Sequence, residues 1–358
     1  MKNSFKELQD FRVVGPVGAT GIIVASMVGS GIFSLTGQFG AKLGTSQNIL
    51  AAWIIGGVLA LCGGLSLAEL GAMIPCSGGS VEFARRAFGG TIGYLVAMVS
   101  IFCGYFLSLA VIGLLLGEYV NQLLPTPVSI GWIASLAIVA AFVSQIFGLH
   151  AGYRFNTALS FVKFGFVALF VFAGLLWPIS SRMAAPALSE TVTHPGMISA
   201  AVASATLTVS FAYLGWAAGA DIAGDMKRPG RNVPLSIITA IVLVFAIYIG
   251  VNIVYLRVID PAAMLNADGT PMQAIGGVAA RLLFGTAVGN AMAAVIALLF
   301  FSTIVSGIIT GARIIESMAH SREIPAWIGV RLANGVPMRA LIVLMVASLA
   351  SLAIGNFD

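Results

Sequence analysis

Long apolar stretches recur nine times along the 358 residues, and they limit the fold more than any other feature. They cover residues 13–35, 48–68, 87–117, 130–149, 155–177, 197–220, 235–256, 285–312 and 340–354, and only the fifth contains a charge, Lys163. A helix needs about 20 such residues to cross the hydrocarbon of a bilayer. An open sheet or loop would leave backbone polar groups unpaired there, so helices are the form such stretches take. The chain is 59% hydrophobic and 9% charged, whereas soluble domains are about 25% charged. It therefore reads as an all-α integral membrane protein of about nine spans. The third and eighth stretches are longer than a bilayer needs, so they tilt or extend beyond the hydrocarbon.

Lysine and arginine set the expected orientation, because cytoplasmic loops carry an excess of both. With the N-terminus inside, thirteen of the eighteen fall in the cytoplasm, and only Lys42, Arg182, Arg257 and Arg281 lie outside. The net charge of +5 is thus a topology signal, and no nucleic-acid partner is inferred. Residues 1–12 form a polar cytoplasmic segment, and the first stretch reads as a retained span rather than a signal peptide. Cys62, Cys76 and Cys103 are unclustered and read as buried free thiols. His150, His194 and His320 fall in three separate loops, so no metal site follows. No cofactor is implied. Without a nucleophile–base cluster or a phosphate loop, the chain does not read as an enzyme.

Two places interrupt the apolar stretches. Gly29-Ser30-Gly31 lies in the middle of the first, and Gly215 lies in the sixth. Most of the 42 glycines suit close helix packing in a bilayer, but Gly29-Ser30-Gly31 also breaks helix propensity locally. Non-helical backbone at membrane depth survives only where it is buried or lines a cavity. Interrupted helices at corresponding positions of two halves point to the binding site of a secondary transporter.

Four blocks of sequence carry a family resemblance. They are the first stretch through Gly29-Ser30-Gly31-Ile32-Phe33, then Ala68-Glu69-Leu70-Gly71 through Arg85-Arg86-Ala87-Phe88-Gly89, then Phe211-Ala212-Tyr213-Leu214-Gly215-Trp216, and finally Asp225-Met226-Lys227-Arg228-Pro229 with Asn232-Val233-Pro234. In this order they resemble the amino acid, polyamine and organocation transporter superfamily. Arg322-Glu323-Ile324-Pro325 adds a weaker match. The resemblance implies a five-span repeat recurring in inverted orientation, with discontinuous first and sixth spans. Residues 13–180 would form the first repeat and residues 195–358 the second, which is incomplete and ends after its fourth span.

The resemblance also implies a substrate site built from Gly29, Ser30, Gly31, Ile32, Phe211, Ala212, Leu214, Gly215 and Trp216. N–H groups freed at the start of a half-helix suit a carboxylate, and carbonyls freed near Phe211, Ala212 and Leu214 suit an ammonium group. Phe211 matches an aromatic lid, with an ordinary lipid-facing or core phenylalanine as the alternative. Trp216 would wall the side-chain pocket or serve as an interfacial anchor. Glu69 and Asp225 would belong to a cytoplasmic gate. Where some relatives carry an acid two positions after the sixth-span glycine, this chain has Ala217, which argues against a dedicated cationic substrate.

Lys163 stands apart on physical grounds, because burying its ammonium costs at least ~2.5 kcal/mol on insertion scales. It matches the fifth-span lysine of proton-coupled members. Ser302 and Thr303, with Ser306, are its candidate partners, although each hydroxyl could instead bond its own helix backbone. The expected function is secondary active transport of neutral amino acids across the cell (inner) membrane, coupled to a proton. An amino acid exchanger and a truncated, non-transporting amino acid-binding protein remain as alternatives.

Overall fold

The computed structural model describes residues 12–29, 31–76, 78–121, 123–126, 128–146, 149–179, 182–184, 196, 199–265, 269, 271–272 and 275–354. The regular structure of these residues is helical, and strand-like pairing is limited to isolated bridges such as Val14 with Met226. Seven helical segments are long and apolar enough to cross a membrane: Pro16–Leu43, Ser46–Met73, Gly90–Asn121, Arg154–Leu176, Ala200–Asp221, Pro229–Val258 and Thr286–His320. Ile130–Ile146 and Met338–Ile354 overlie the fourth and ninth expected spans, but each has 17 residues. At 1.5 Å per residue they are about 26 Å long, slightly under the hydrocarbon thickness of about 30 Å. Nine expected spans thus exceed the full-length segments by two.

The first span is two helices. α1 (Pro16–Met27) starts on a proline, whose missing N–H would be unpaired there in any case. α2 (Gly31–Leu43) begins past the glycine break. α3 (Ser46–Met73) is capped by Thr45, whose side chain accepts from the Asn48 N–H. The short α4 (Gly79–Phe88) leads into a third span that changes winding midway. This span runs as α5 (Gly90–Val99), a π-helical stretch (Ser100–Leu107) and α6 (Ser108–Asn121). α7 (Ile130–Ile146) and α8 (Leu149–Leu176) follow.

The sixth span is also interrupted. α9 (Ala200–Ala212) gives way to a 3-10 turn at Leu214–Ala217, and α10 (Ala218–Asp221) resumes the helix. Beyond it lie α11 (Pro229–Val258), α12 (Ile275–Phe284), α13 (Thr286–His320) and α14 (Met338–Ile354). α11 packs on α3, α1 and α8, and α13 packs on α6, α12, α8 and α1.

The molecule packs a large apolar core, including Trp53, Phe33 and Phe300, encloses several charged groups within it, and still leaves many large apolar side chains facing outward. Trp132, Leu136, Phe161, Leu169 and Phe172 are exposed, whereas Lys163, Asp221, Asp225, Arg313 and Glu316 are buried. Helices that are apolar all round suit a lipid surround, with polar groups gathered between them. The cysteines correct one expectation. All three are free, but Cys62 and Cys103 are exposed and Cys76 is half-buried. Cys62 and Cys103 sit on faces of apolar helices that lipid would cover, so apolar surroundings did not require burial within the protein.

Candidate functional site

The two interruptions lie against each other. A Cβ placed on Gly31 would stand 2.7 Å from the Ala212 Cβ, and one on Gly215 would stand 2.3 Å from the Ser26 carbonyl carbon. Glycine is therefore required at Gly215 because α1 passes directly over it. The helix ladder stops at Met27 in the first span and at Ala212 in the sixth. The sixth span does not open fully, since its backbone tightens into the 3-10 turn and the Tyr213 N–H bonds the Ser210 carbonyl at 3.2 Å.

A tyrosine on α11 joins the two ends. Tyr248 places its hydroxyl 2.7 Å from the Met27 carbonyl and 3.2 Å from the Ala212 carbonyl. Behind it the Trp53 indole donates to Thr36 at 3.1 Å, the Thr36 hydroxyl donates to Asn252 at 2.5 Å, and the Asn252 amide donates to the Tyr248 carbonyl at 2.7 Å. The rings of Trp53, Tyr213 and Tyr248 pack edge-on or tilted, with centroids 4.9–6.1 Å apart. A buried network with every member paired holds its groups in one arrangement. Sequence reasoning missed it because its members lie on α2, α3 and α11, with no local spacing to link them.

Of the residues named from sequence, Gly29, Gly31, Phe211, Ala212, Leu214 and Gly215 line one cavity of about 590 Å³. Ser30 lies outside the described residues. Ile32 is fully buried in the core. Trp216 stands beside Gly63 of α3, where an added Cβ would lie 3.1 Å from the indole. The cavity extends beyond the breaks to Ser80, Tyr105, Asp221 and Thr310. None of these four was expected from sequence.

Lys163 lies on α8 and is 1% exposed. Its ammonium donates to the Ala25 carbonyl at 2.9 Å and to the Thr303 hydroxyl at 2.8 Å. Thr303 also stands 3.2 Å from the Ala25 and Val28 carbonyls, so one side chain of α13 gathers the loose end of α1. The Ser306 hydroxyl lies 3.0 Å from the Ile22 carbonyl and 2.5 Å from the Ser26 hydroxyl. Ser302 is buried without a hydrogen-bond partner and does not bond Lys163. Carbonyl and hydroxyl dipoles therefore surround Lys163, and among the described residues it has no carboxylate partner.

At the Pro16 end of α1 four buried charges alternate. The Arg313 guanidinium pairs with Asp225 at 2.7 Å and with Glu316 at 3.0 Å. Arg331 pairs with Asp225 at 3.0 Å and with Glu316 at 2.5 Å. Burial works against the charge on Arg331, but the adjacent Asp225 carboxylate and Glu316 outweigh it and raise its pKa above the ordinary value. The backbone joins in, because the Val14 N–H donates to the Asp225 carbonyl at 3.0 Å and the Lys227 N–H donates to the Val14 carbonyl at 2.8 Å. Glu69 is exposed and forms no ion pair with a described residue, so it stands apart from Asp225. Among the described residues no group of three or more His, Cys, Asp or Glu is placed to hold a metal ion.

Comparison with known proteins gives the family and the fold of the chain. The chain is 27% identical over 325 residues to a serine/threonine exchanger of Bacillus subtilis (strain 168), covering 88% of this chain and 69% of the relative. It is 30% identical over 264 residues to the b(0,+)-type amino acid transporter 1 of Mus musculus, covering 72% of this chain and 53% of that protein. To the human large neutral amino acids transporter small subunit 2 it is 26% identical, covering 95% of this chain and 64% of the relative. The chain thus spans about half to two-thirds of these relatives, which are transporters rather than enzymes.

Two solved structures share the fold at 15% identity. One is a nucleobase-cation-symport-1 family transporter in a closed conformation, with a TM-score of 0.58 over 98% of this chain and 74% of that one. The other is a Na+-coupled sialic acid symporter in an outward-open state, with a TM-score of 0.62 over 97% and 76%. The family profile described as amino acid permease matches residues 14–357. By that match, which takes in both interrupted spans and the cavity between them, the chain belongs to the amino acid permease family.

Proposed function

We propose that this chain is the core of a secondary active transporter of amino acids, holding its substrate where α1 and α2 meet α9 and the 3-10 turn. The observation that carries this reading is the juxtaposition of two broken spans, Gly31 against Ala212 and Gly215 against Ser26, beside one cavity. The start of α2 offers N–H groups to a carboxylate. Carbonyls at the end of α9 offer acceptors to the α-ammonium group. The cell membrane is the proposed location, with Arg12 on the cytoplasmic side as the lysine and arginine count requires. The repeat boundaries at residues 13–180 and 195–358 belong to the same proposal.

Lys163 is the proposed coupling residue. Its ammonium ties α8 to the loose end of α1 and to Thr303 of α13, so losing its proton would weaken the contact that fixes the first break. Asp225 with Arg313 and Arg331 is the proposed gate. Exchange is the second reading, favoured by the likeness to the serine/threonine exchanger of B. subtilis.

Uptake of radiolabelled amino acids into proteoliposomes tests the whole reading. Uptake driven by an inward proton gradient, and lost as pH dependence in Lys163→Ala, is the expected result. Unchanged pH dependence in the variant ends the coupling role, and uptake that needs preloaded amino acid favours exchange. The preference for a neutral side chain rested on Ala217 alone. The cavity wall continues to an acid one turn further on.

A further inference from the structure

Asp221 ends α10, four residues after Ala217, and both residues line the cavity. Positions four apart share a helix face, so the wall that lacks a carboxylate at Ala217 regains one a turn later. Asp221 is 2% exposed. Its Oδ1 accepts from the Ser80 backbone N–H at 3.3 Å and from the Ser80 hydroxyl at 2.9 Å, and its Oδ2 accepts from the Tyr105 hydroxyl at 3.3 Å.

An ionised carboxylate withdrawn from water is costly unless a cation pairs with it. No described lysine, arginine or histidine does so. Arg85 pairs with Glu82 and Glu323, while Arg313 and Arg331 pair with Asp225 and Glu316. A carboxylate has about four acceptor positions. Three are filled, which leaves one on Oδ2 for a further N–H. The residue that reaches Oδ2, Tyr105, belongs to the π-helical stretch, and Ser100 and Gly104 of that stretch also line the cavity. π-helical turns within α-helices are frequent at functional sites.

We propose that Asp221, positioned by Ser80 and Tyr105, receives a positively charged side-chain group, an ammonium or a guanidinium, of the transported amino acid. This rests on the amino acid transporter reading above and replaces the neutral preference drawn from Ala217. From Gly215 to Asp221 the backbone winds through a 3-10 turn and one α-turn, a rise of about 9–12 Å at 1.5–2.0 Å per residue. A lysine or arginine side chain reaches about 6–7 Å from its Cα, and a charge-assisted hydrogen bond of about 2.8 Å to the Asp221 carboxyl, which itself lines the cavity, covers the remainder while the α-carboxylate and α-ammonium groups stay at the breaks. A bare metal cation suits the site less well, because N–H and O–H donors already occupy Oδ1.

Ligand-shift thermostability and calorimetry on the full chain in nanodiscs test this with two matched pairs, L-lysine with L-norleucine and L-arginine with L-citrulline. The expected result is that a charged member binds at least tenfold more tightly than its uncharged counterpart. Asp221→Asn should lower that ratio at least tenfold, with Asp221→Ser as a second variant lacking the carboxylate. Norleucine and citrulline binding as tightly as their charged counterparts would overturn the proposal and leave amino acid transport standing. A ratio that survives in either variant would overturn it too. Failure of all four compounds to bind would overturn this inference, and the transporter reading beneath it would fall as well only if serine, threonine and leucine also gave no shift in the same assay.

Discussion

Lys163 and the Asp225–Arg313–Glu316–Arg331 group both bury charge between helices, but they neutralise it differently. Lys163 is held by one carbonyl and one hydroxyl, whereas the four-residue group balances two cations against two anions at 2.5–3.0 Å. A cation held by neutral dipoles can give up its proton and leave no opposite charge stranded. A cation held by carboxylates cannot, because each partner's charge depends on the other. The first arrangement therefore suits a proton-responsive joint, and the second suits a latch that opens only as a whole.

The largest expected effect lies in the latch. Arg313→Ala would leave Asp225 and Glu316 with Arg331 as their shared cation among the described residues, and breaking a buried pair from one side costs about 3–5 kcal/mol. Unfolding monitored by thermal or detergent titration reads this, and a loss below about 1 kcal/mol would mean that the four charges are not coupled. Lys163→Met should cost less, about 1–3 kcal/mol, because it removes a hydrogen-bond donor and leaves no charge unpaired. If its cost equals that of Arg313→Ala, the contrast between the two regions fails.

A thiol two residues before Gly78, which packs against Ser317 and the Arg313 carbonyl, gives a finer and smaller measure. Cys76 follows α3, and burial, with Glu82 adding to it, pushes its pKa up to about 12. Only the thiolate reacts with maleimide, so the thiol stays protonated and slow at neutral pH. Labelling should rise about tenfold per pH unit between pH 7 and 9 without a plateau. A faster rate in Arg313→Ala but not in Lys163→Met would show that the latch alone controls this end.

Much of the helical framework was legible in the sequence. Of the nine spans expected from apolar length, seven coincide with full-length helices among the described residues, and the glycine-rich segment marked where α1 stops. The solitary charge at Lys163 was equally visible. Its partners were legible only in part, since Thr303 was among the candidates. Thr303 could be drawn toward Lys163 by proximity on the eighth span, but nothing distinguished it from Ser302, which the fold leaves without a hydrogen bond. Tyr248 and Asp221 gave no local signal, since one is an aromatic among apolar neighbours and the other an acid at a span's end.

Period and propensity act over a few residues, so the sequence by itself determined helices, their apolar surfaces and the points where they break. Which groups meet depends on helices packed from distant parts of the chain. Only the tertiary structure could bring the ends of α1 and α9 under one tyrosine, place Lys163 against Thr303, and set Asp221 between Ser80 and Tyr105. The physical reason is that a buried polar group takes its partner from whatever is adjacent in space, and adjacency across a bundle is settled by packing.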